Sequence, residues 1–594
     1  MRQIVWMLTA CALVCSCSDN GSDAPGPCAD TSRVFAMPTP LWEDGDTHVF
    51  MGPPAGDRAV ELLGEVRPSW QAELADMAGS GWPARPTIVI PLSGTATSVN
   101  VDRIAVFGLD GQKYPARFEA GIERNGHSLL LKPEDPFPPQ LDEVIIVVQT
   151  GALSGATALP VCTSEGVPHP AYLEAYKRLP TDAEAELALP VRIADTSRDL
   201  ARLWDRLAGA PVLEVESIEA RTLDSFAERA PLPGVAALLL PTAASGILAL
   251  PDYRGQDRRF KLGGDGAPEP QGTTKPGFVV ALPATGTAPY PFVLFQHGGT
   301  QNKADFFKLA GPLSTAGFAF VAIDLPYHGD RASPGGGSDL DILDFDNPLA
   351  SRDNLRQAAA DHLAVLSGIE QLNASLEPIL GTPRALDPAR SFYMGLSLGG
   401  ISGSLTFASS RGLAAGALFV GAGGYPEILS YGFFSLYLND ILQLEPIERE
   451  IVLGFAEVLL NGADPLAYGK RAEDRTAPPR PALFFQAQDD PIIFMPASDR
   501  WARAYGADLA LPAQHDVWGM QTLTLPAADN FSWSDGGATA TRLLIHNPMS
   551  EVPSAERHGG LITMDYSQEM VAHCFSSLLD SGSCEAIDTG FAEK

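Results

Sequence analysis

Between about residues 85 and 150 the apolar residues come in short runs: TIVIPL, RIAVFGL, KYPARFE, HSLLLKP and EVIIVVQTG. The runs are rich in β-branched residues and are broken by DGQ, RNG and proline clusters. Strands at this spacing, with no long helical pattern between them, predict a β-sandwich over 31–165. HPAYLEAYKRL and DTSRDLARLWDRLAG instead show helical spacing, the second behind an Asp/Thr/Ser cap signal. With the strand VLEVESIEA they form a connecting segment, 166–239. GILALPDYR adds one more strand, and from about residue 276 apolar strands alternate with helices. GFVVALP, PFVLFQHGG, FAFVAIDLP, SFYMGLS, GALFVGAG, ALFFQAQDD and ATRLLIHNP read as strands. NKADFFKLAGPLSTAG, SRDNLRQAAADHLAVLSGIEQL and SQEMVAHCFSSLLDSG read as helices. Such alternation predicts a mainly parallel sheet covered by helices on both faces, over 240–594. The expected fold class is therefore α/β, preceded by a small all-β, immunoglobulin-like domain.

Composition changes this picture little: 45% of the 594 residues are hydrophobic and 19% charged, as in ordinary globular proteins. Charge excludes one partner class. A net charge of -31 repels phosphate backbones, so nucleic acid is not an expected ligand. The first residues suggest export. A weakly basic start leads into the apolar run IVWMLTACALV, too short to span a membrane, and then into VCSC and the polar CSDNGSDAPGP. This resembles a bacterial lipoprotein signal, with 1–16 removed, Cys17 carrying the lipid and 17–30 a flexible tether. The expected location is the bacterial cell envelope, on a membrane anchor at the outer membrane or cell surface, with secretion after a plain cleaved signal as the alternative. Cys11 and Cys15 would leave with the signal, and four cysteines would remain in the exported chain, Cys28, Cys162, Cys574 and Cys584. Two disulfides are expected, with three possible connectivities. The short loop CFSSLLDSGSC makes Cys574–Cys584 the natural pair, leaving Cys28 with Cys162. No cysteine or histidine spacing suggests a metal site.

The chemistry centres on Gly395-Leu396-Ser397-Leu398-Gly399, a G-x-S-x-G motif between an apolar strand and a small-residue helix. A serine on such a strained turn projects its hydroxyl at the sheet edge, and the glycines, Gly400 included, remove side chains that would clash. A hydroxyl needs a base, and the base needs an orienting acid, in the chain order serine, acid, histidine. The strand ALFFQA ends on Asp489 and Asp490, both acid candidates. Of the histidines after Ser397, His546 falls in or just beyond the last strand, His573 in the final helix, and His515 away from the required place. His558 lies on the intervening loop, where Gly559 and Gly560 suit a turn, and is the expected base. The oxyanion hole is expected from the amides of Leu398 and of Gly299, in the strand-end His297-Gly298-Gly299. His297 is read as bracing that loop, and Asp324 and His328 as structural.

HGG, GLSLG, QDDP and RHGG in this order resemble the α/β-hydrolase superfamily across roughly 240–594. More loosely, TIVIPLSG, VNVDRIAVFGLDG, LLLKPEDPFPPQ, LPYHGDR and SRDNLRQAAADHLAV resemble the bacterial virulence-factor lipases, extracellular enzymes with an immunoglobulin-like domain before the hydrolase. The resemblance implies carboxylic ester hydrolysis without metal or organic cofactor. It favours Asp490 as the acid, since there the acid directly precedes proline and two branched apolar residues; Asp489 stays as the alternative. The apolar, aromatic stretch from Gly423, within 423–475, is either a cap lining an acyl pocket or helices packed on the sheet. A serine peptidase of the same fold and a catalytically silent surface-binding protein are the competing readings. No obligate protein partner is evident.

Overall fold

The computed structural model describes residues 28–31, 36–39, 56–77, 81–123, 126–221, 233–309, 311–331, 338–474, 477–533 and 537–590. The expected signal at 1–16, the lipid-bearing Cys17 and nearly all of the tether lie outside the described residues. Among those described, no helix is long and apolar enough to cross a membrane.

The N-terminal region carries β1 (Ile88–Val99), β2 (Ile104–Gly108), β3 (Lys113–Tyr114), β4 (Phe118–Glu123), β5 (Ser128–Pro133), β6 (Glu143–Gln149), β7 (Leu153–Ala158) and β8 (Ala185–Arg192). They form two four-stranded antiparallel sheets, ordered β4-β5-β1-β7 and β3-β2-β6-β8. The run EVIIVVQ is apolar at every central position because both faces of β6 are covered. Val144, Ile146 and Val148 join the main core, while Ile145 and Val147 pack with Ala175 of the helix Pro170–Arg178. The strand β8 comes from the stretch read as connector, so the second sheet closes later in the chain than 165. Both expected disulfides are present, Cys28–Cys162 and Cys574–Cys584. They point to an extracytoplasmic protein.

The large sheet is built from β9 (Glu214–Arg221), β10 (Thr242–Asp252), β11 (Gly272–Thr274), β12 (Gly277–Leu282), β13 (Tyr290–Gln296), β14 (Ala319–Ile323), β15 (Leu386–Leu396), β16 (Leu413–Phe419), β17 (Ala482–Ala487), β18 (Asp508–Leu511), β19 (Thr522–Thr524), and, after the hairpin of β20 (Phe531–Ser532) and β21 (Thr539–Ala540), β22 (Arg542–Asn547). Its order is β11-β10-β12-β14-β13-β15-β16-β17-β22-β18-β19, with β9 also on β10. Pairing is parallel from β14 through β19, and β12 runs antiparallel to both neighbours. A mostly parallel sheet with an antiparallel second strand and helices on both faces is the α/β-hydrolase fold. Its strands are apolar at successive positions because both faces are buried: in β13, Phe292 and Leu294 enter one core and Val293 and Phe295 the other.

Two helical expectations change. NKADFFKLAGPLSTAG is not one helix but a 3-10 segment, Lys303–Leu309, and a single turn, Pro312–Thr315, which Pro312 opens behind Gly311. SRDNLRQAAADHLAVLSGIEQL divides at Gly368 into Pro348–Ser367 and Ile369–Leu380. The stretch from Gly423 folds into short helices, Tyr425–Leu429 and Asn439–Leu442, and a longer one, Pro446–Leu460. The last packs between Pro348–Ser367 and Arg58–Val66 of the N-terminal region.

Candidate active site

The strand β15 delivers Ser397 to a sharp turn, and the helix Leu398–Ser409 starts immediately after it. Ser397 has φ +54°, a left-handed conformation that non-glycine residues seldom adopt. Its N–H donates to the Phe419 carbonyl at 2.8 Å, pinning the turn to β16. The flanking glycines are steric requirements. A methyl on Gly395 would overlap the Gly399 carbonyl, one on Gly399 the Gln296 carbonyl, and one on Gly400 would lie 3.1 Å from the Phe419 carbonyl.

The two acid candidates follow the end of β17. Asp489 has φ +52°, which turns the chain so that the two neighbouring carboxylates diverge. Asp490 is buried. Its Oδ1 accepts from the Ile492 and Ile493 amides at 2.8 and 3.0 Å, and its Oδ2 from His558 Nδ1 at 2.7 Å. Asp489 is largely exposed and meets Arg557 at 3.3 Å. The structure thus sets Asp490, not Asp489, against the imidazole. His558 Nε2 lies 2.7 Å from Ser397 Oγ. One expectation needs correction: His558 sits not on an open loop but in the short helix Ser554–Gly560. The helix gives its side chain a fixed direction that a loop would not.

The loop after β13 faces Ser397 from the other side. A Cβ on Gly298 would lie 3.2 Å from the Ser397 Cβ, whereas Gly299 faces open space. The amides around Gly299 are engaged: Gly298 N–H donates to Gln301 Oε1 at 3.0 Å, and Thr300 N–H to His328 Nε2 at 3.2 Å. Leu398 heads its helix, where first-turn amides lack an intrahelical acceptor. His297 holds the loop from beneath. Its Nε2 accepts from the Leu325 amide at 3.1 Å and its Nδ1–H donates to the Gly298 carbonyl at 2.8 Å. Burial, and then the neighbouring His328, push the His297 pKa down to about 4, so the ring is neutral. His328 is likewise lowered by burial, its Nδ1–H donating to the Pro326 carbonyl at 2.9 Å. Asp324 is buried under this loop, where Lys303 N–H and Nζ and the Asp330 amide donate to it, each at 2.9 Å.

Deeper still, His362 bridges Gln296 and Thr406, its pKa driven to about 3 chiefly by burial. Sequence reading did not single out this residue, nor Tyr431, whose hydroxyl donates to the Asp490 carbonyl at 3.2 Å. Neither sits in a motif; each is brought to the site by tertiary packing.

Among the described residues one group has ligand atoms close enough for a metal ion, Asp499, His515 and His546. Asp499 accepts from His515 Nε2 at 2.7 Å and from His546 Nε2 at 3.3 Å. The Gln514 amide donates to His546 Nδ1 at 3.3 Å, which places the imidazole proton on Nε2. A metal ligand needs an unprotonated ring nitrogen facing the ion and its other N–H given to an acceptor, whereas here Nε2, which faces Asp499, carries the proton and Nδ1 accepts. The group is better explained as a hydrogen-bonded brace between the helix Met495–Ala504 and β22.

No family model matches the sequence, and no curated protein matches it. Among solved structures, the chain is similar to acetyl xylan esterase 1 from Thermoanaerobacterium sp. JW/SL YS485, at 14% identity over 59% of this chain and 87% of that one, with a TM-score of 0.31. An acylaminoacyl peptidase of Pyrococcus horikoshii gives 14% identity over 56% and 41% of the two chains, TM-score 0.29. A cold-adapted esterase from an Arctic intertidal metagenomic library gives 16% over 55% and 94%, TM-score 0.27.

Proposed function

We propose that this protein is an exported serine hydrolase that cleaves carboxylic esters through an acyl-enzyme. The observation that carries the reading is the continuous chain Ser397 Oγ, His558, Asp490, at 2.7 Å on each side of the imidazole. Ser397 attacks the ester carbonyl carbon while His558 Nε2 takes its proton. Asp490, aimed by two backbone amides, holds the proton on Nδ1 and stabilises the imidazolium. The amides of Leu398 and Gly299 receive the tetrahedral oxyanion, each worth about 3–4 kcal/mol of transition-state stabilisation. His558 then protonates the departing alcohol, and water, deprotonated by the same imidazole, releases the acid and restores Ser397. No step requires a metal or organic cofactor. Export agrees with the two disulfides. A lipid on Cys17 would hold the enzyme at a membrane surface, with the β-rich N-terminal region beside the catalytic one.

A fluorophosphonate probe tests the chemistry, followed by p-nitrophenyl esters of graded chain length and matched amides. Labelling lost in Ser397→Ala, together with ester turnover, is expected. Absence of labelling, or labelling that survives Ser397→Ala, would overturn the reading; turnover of amides alone would replace it with a peptidase.

A further inference from the structure

Four charged side chains join the N-terminal region to the wall behind the triad acid. Arg85, buried just ahead of β1, has Nη2 2.8 Å from Glu427 Oε1 and Nη1 3.9 Å from Glu457 Oε1, and its Nε donates to the Pro133 carbonyl at 2.6 Å. Arg500 approaches the same Glu427 oxygen at 3.6 Å from the helix that follows the Asp490 turn. Burial alone would raise Glu427, but Arg85 and then Arg500 overcome it and hold its pKa at about 2. Glu427 lies in the helix Tyr425–Leu429, and the chain leaves that helix directly onto the acid turn. There Tyr431 donates to the Asp490 carbonyl, its ring packs on Phe494 at 5.2 Å, and Gly432 lies so close to the Pro491 carbonyl that any side chain would overlap it.

We infer that Tyr431 is a positioning residue for Asp490 and that Arg85, through Glu427, seats it, which makes the N-terminal region part of the catalytic apparatus. The inference rests on the triad proposed above. Ion pairs so buried cost more to break than to keep, because removing one partner strands the other's charge. Loss of Arg85 therefore leaves Glu427 with Arg500 alone and frees the Tyr425–Leu429 helix to shift. Asp490 keeps its two amide donors but loses the contact that fixes its backbone.

The test uses the whole protein and two readouts. The first is the far-downfield proton resonance of His558 Nδ1–H, which reports the bond to Asp490 whether or not esters are cleaved. The second is kcat per fluorophosphonate-titrated site. Tyr431→Phe and Arg85→Met should each shift or broaden the resonance, lower kcat about three- to tenfold with KM little changed, and move the acid limb of kcat/KM. Arg85→Lys should recover part of the loss relative to Arg85→Met, since it keeps a positive charge facing Glu427. Arg471→Met is the control. It removes three other ties between the regions, to the Phe137, Pro138 and Leu141 carbonyls, and should lower thermal stability while leaving the resonance in place. An unaltered resonance in both Tyr431→Phe and Arg85→Met overturns the inference, as does an equal change in Arg471→Met. Failure of the hydrolase reading shows separately, as a wild type that keeps the resonance but takes no probe.

Discussion

On one side of Ser397 stand His297 and His328; on the other stands His558. All three are largely or wholly buried, and each has both ring nitrogens engaged. What differs is the partner. His297 and His328 each give Nδ1–H to a carbonyl and accept an amide at Nε2, so both are locked neutral and hold the Gly298–Thr300 loop still. His558 gives Nδ1–H to a carboxylate and meets a hydroxyl at Nε2, so a proton can arrive there and be stabilised. On the proposed mechanism, the acceptor behind the ring decides whether a histidine braces or works.

The largest break in this comparison is Asp490→Asn. It replaces the carboxylate by an amide and makes His558 resemble His297. The imidazole then loses both its fixed tautomer and its counter-charge. A fall in kcat of about 10⁴-fold on a p-nitrophenyl ester is expected, with the fold intact by circular dichroism. A loss under tenfold would remove Asp490 from the mechanism.

Next in size is the acid stability of the bracing side. His297 and His362, at about 4 and about 3, bind protons in the unfolded chain near pH 6.5 but not in the folded one. Their contribution is complete above pH 6.5. It falls by about 1.4 kcal/mol per pH unit per histidine on acidification, until the folded groups titrate. Glu457 works the other way: burial raises its carboxyl to about 8, so its effect costs stability as pH rises above 4.5. Urea unfolding from pH 6.5 to pH 4.5 should show a net loss of about 1.4 kcal/mol per pH unit in wild type, Glu457 offsetting one of the two histidines, and a shallower slope in His297→Leu. Equal slopes would mean that His297 is not held neutral.

His297→Leu should also weaken catalysis, by less. The buried Leu325 amide loses its acceptor, a cost of about 1–3 kcal/mol, and the loop beside Gly299 slackens. Steady-state assay should give kcat about 10- to 100-fold lower with the acid limb of the pH profile unmoved, because His297 does not titrate in that range. A displaced limb would make His297 a proton carrier rather than a brace.

The two sides also differ in how far they could be read from sequence. Ser397 and its glycines are local: one turn requires them, and the motif shows it. The alternation of apolar strands and helices is equally local and was enough for the fold class. His558 followed from chain order, but its short helix did not, because Gly559 and Gly560 argue for a turn and tertiary packing overrides them. The contacts of His362, Tyr431 and Arg85 join residues dozens to hundreds of positions apart, and no spacing encodes such contacts. The β8 strand was hidden likewise: ELALPVR, with its proline, reads as a connector until β6 is there to pair with it.

Asp489 provides the smallest expected effect and the finest division within the acid–base side. It differs from Asp490 by one position and in nearly everything else. Its φ of +52° turns its side chain outward, it is 69% exposed, and its partner is Arg557 at 3.3 Å. An exposed ion pair of this kind contributes about 0–1 kcal/mol. Arg557 does precede His558 in the short helix, so the pair could act on the base through the backbone; yet Arg557 also donates to the Val552 carbonyl at 3.0 Å, which anchors the helix without Asp489. Asp489→Asn should therefore leave kcat within about twofold, with the amide still able to take up the left-handed turn. Asp489→Ala, which cannot take up that conformation cheaply, should lose more, and through stability rather than chemistry. If Asp489→Asn instead matched Asp490→Asn, the carboxylate charge and not the contact with Nδ1 would be what the imidazole requires.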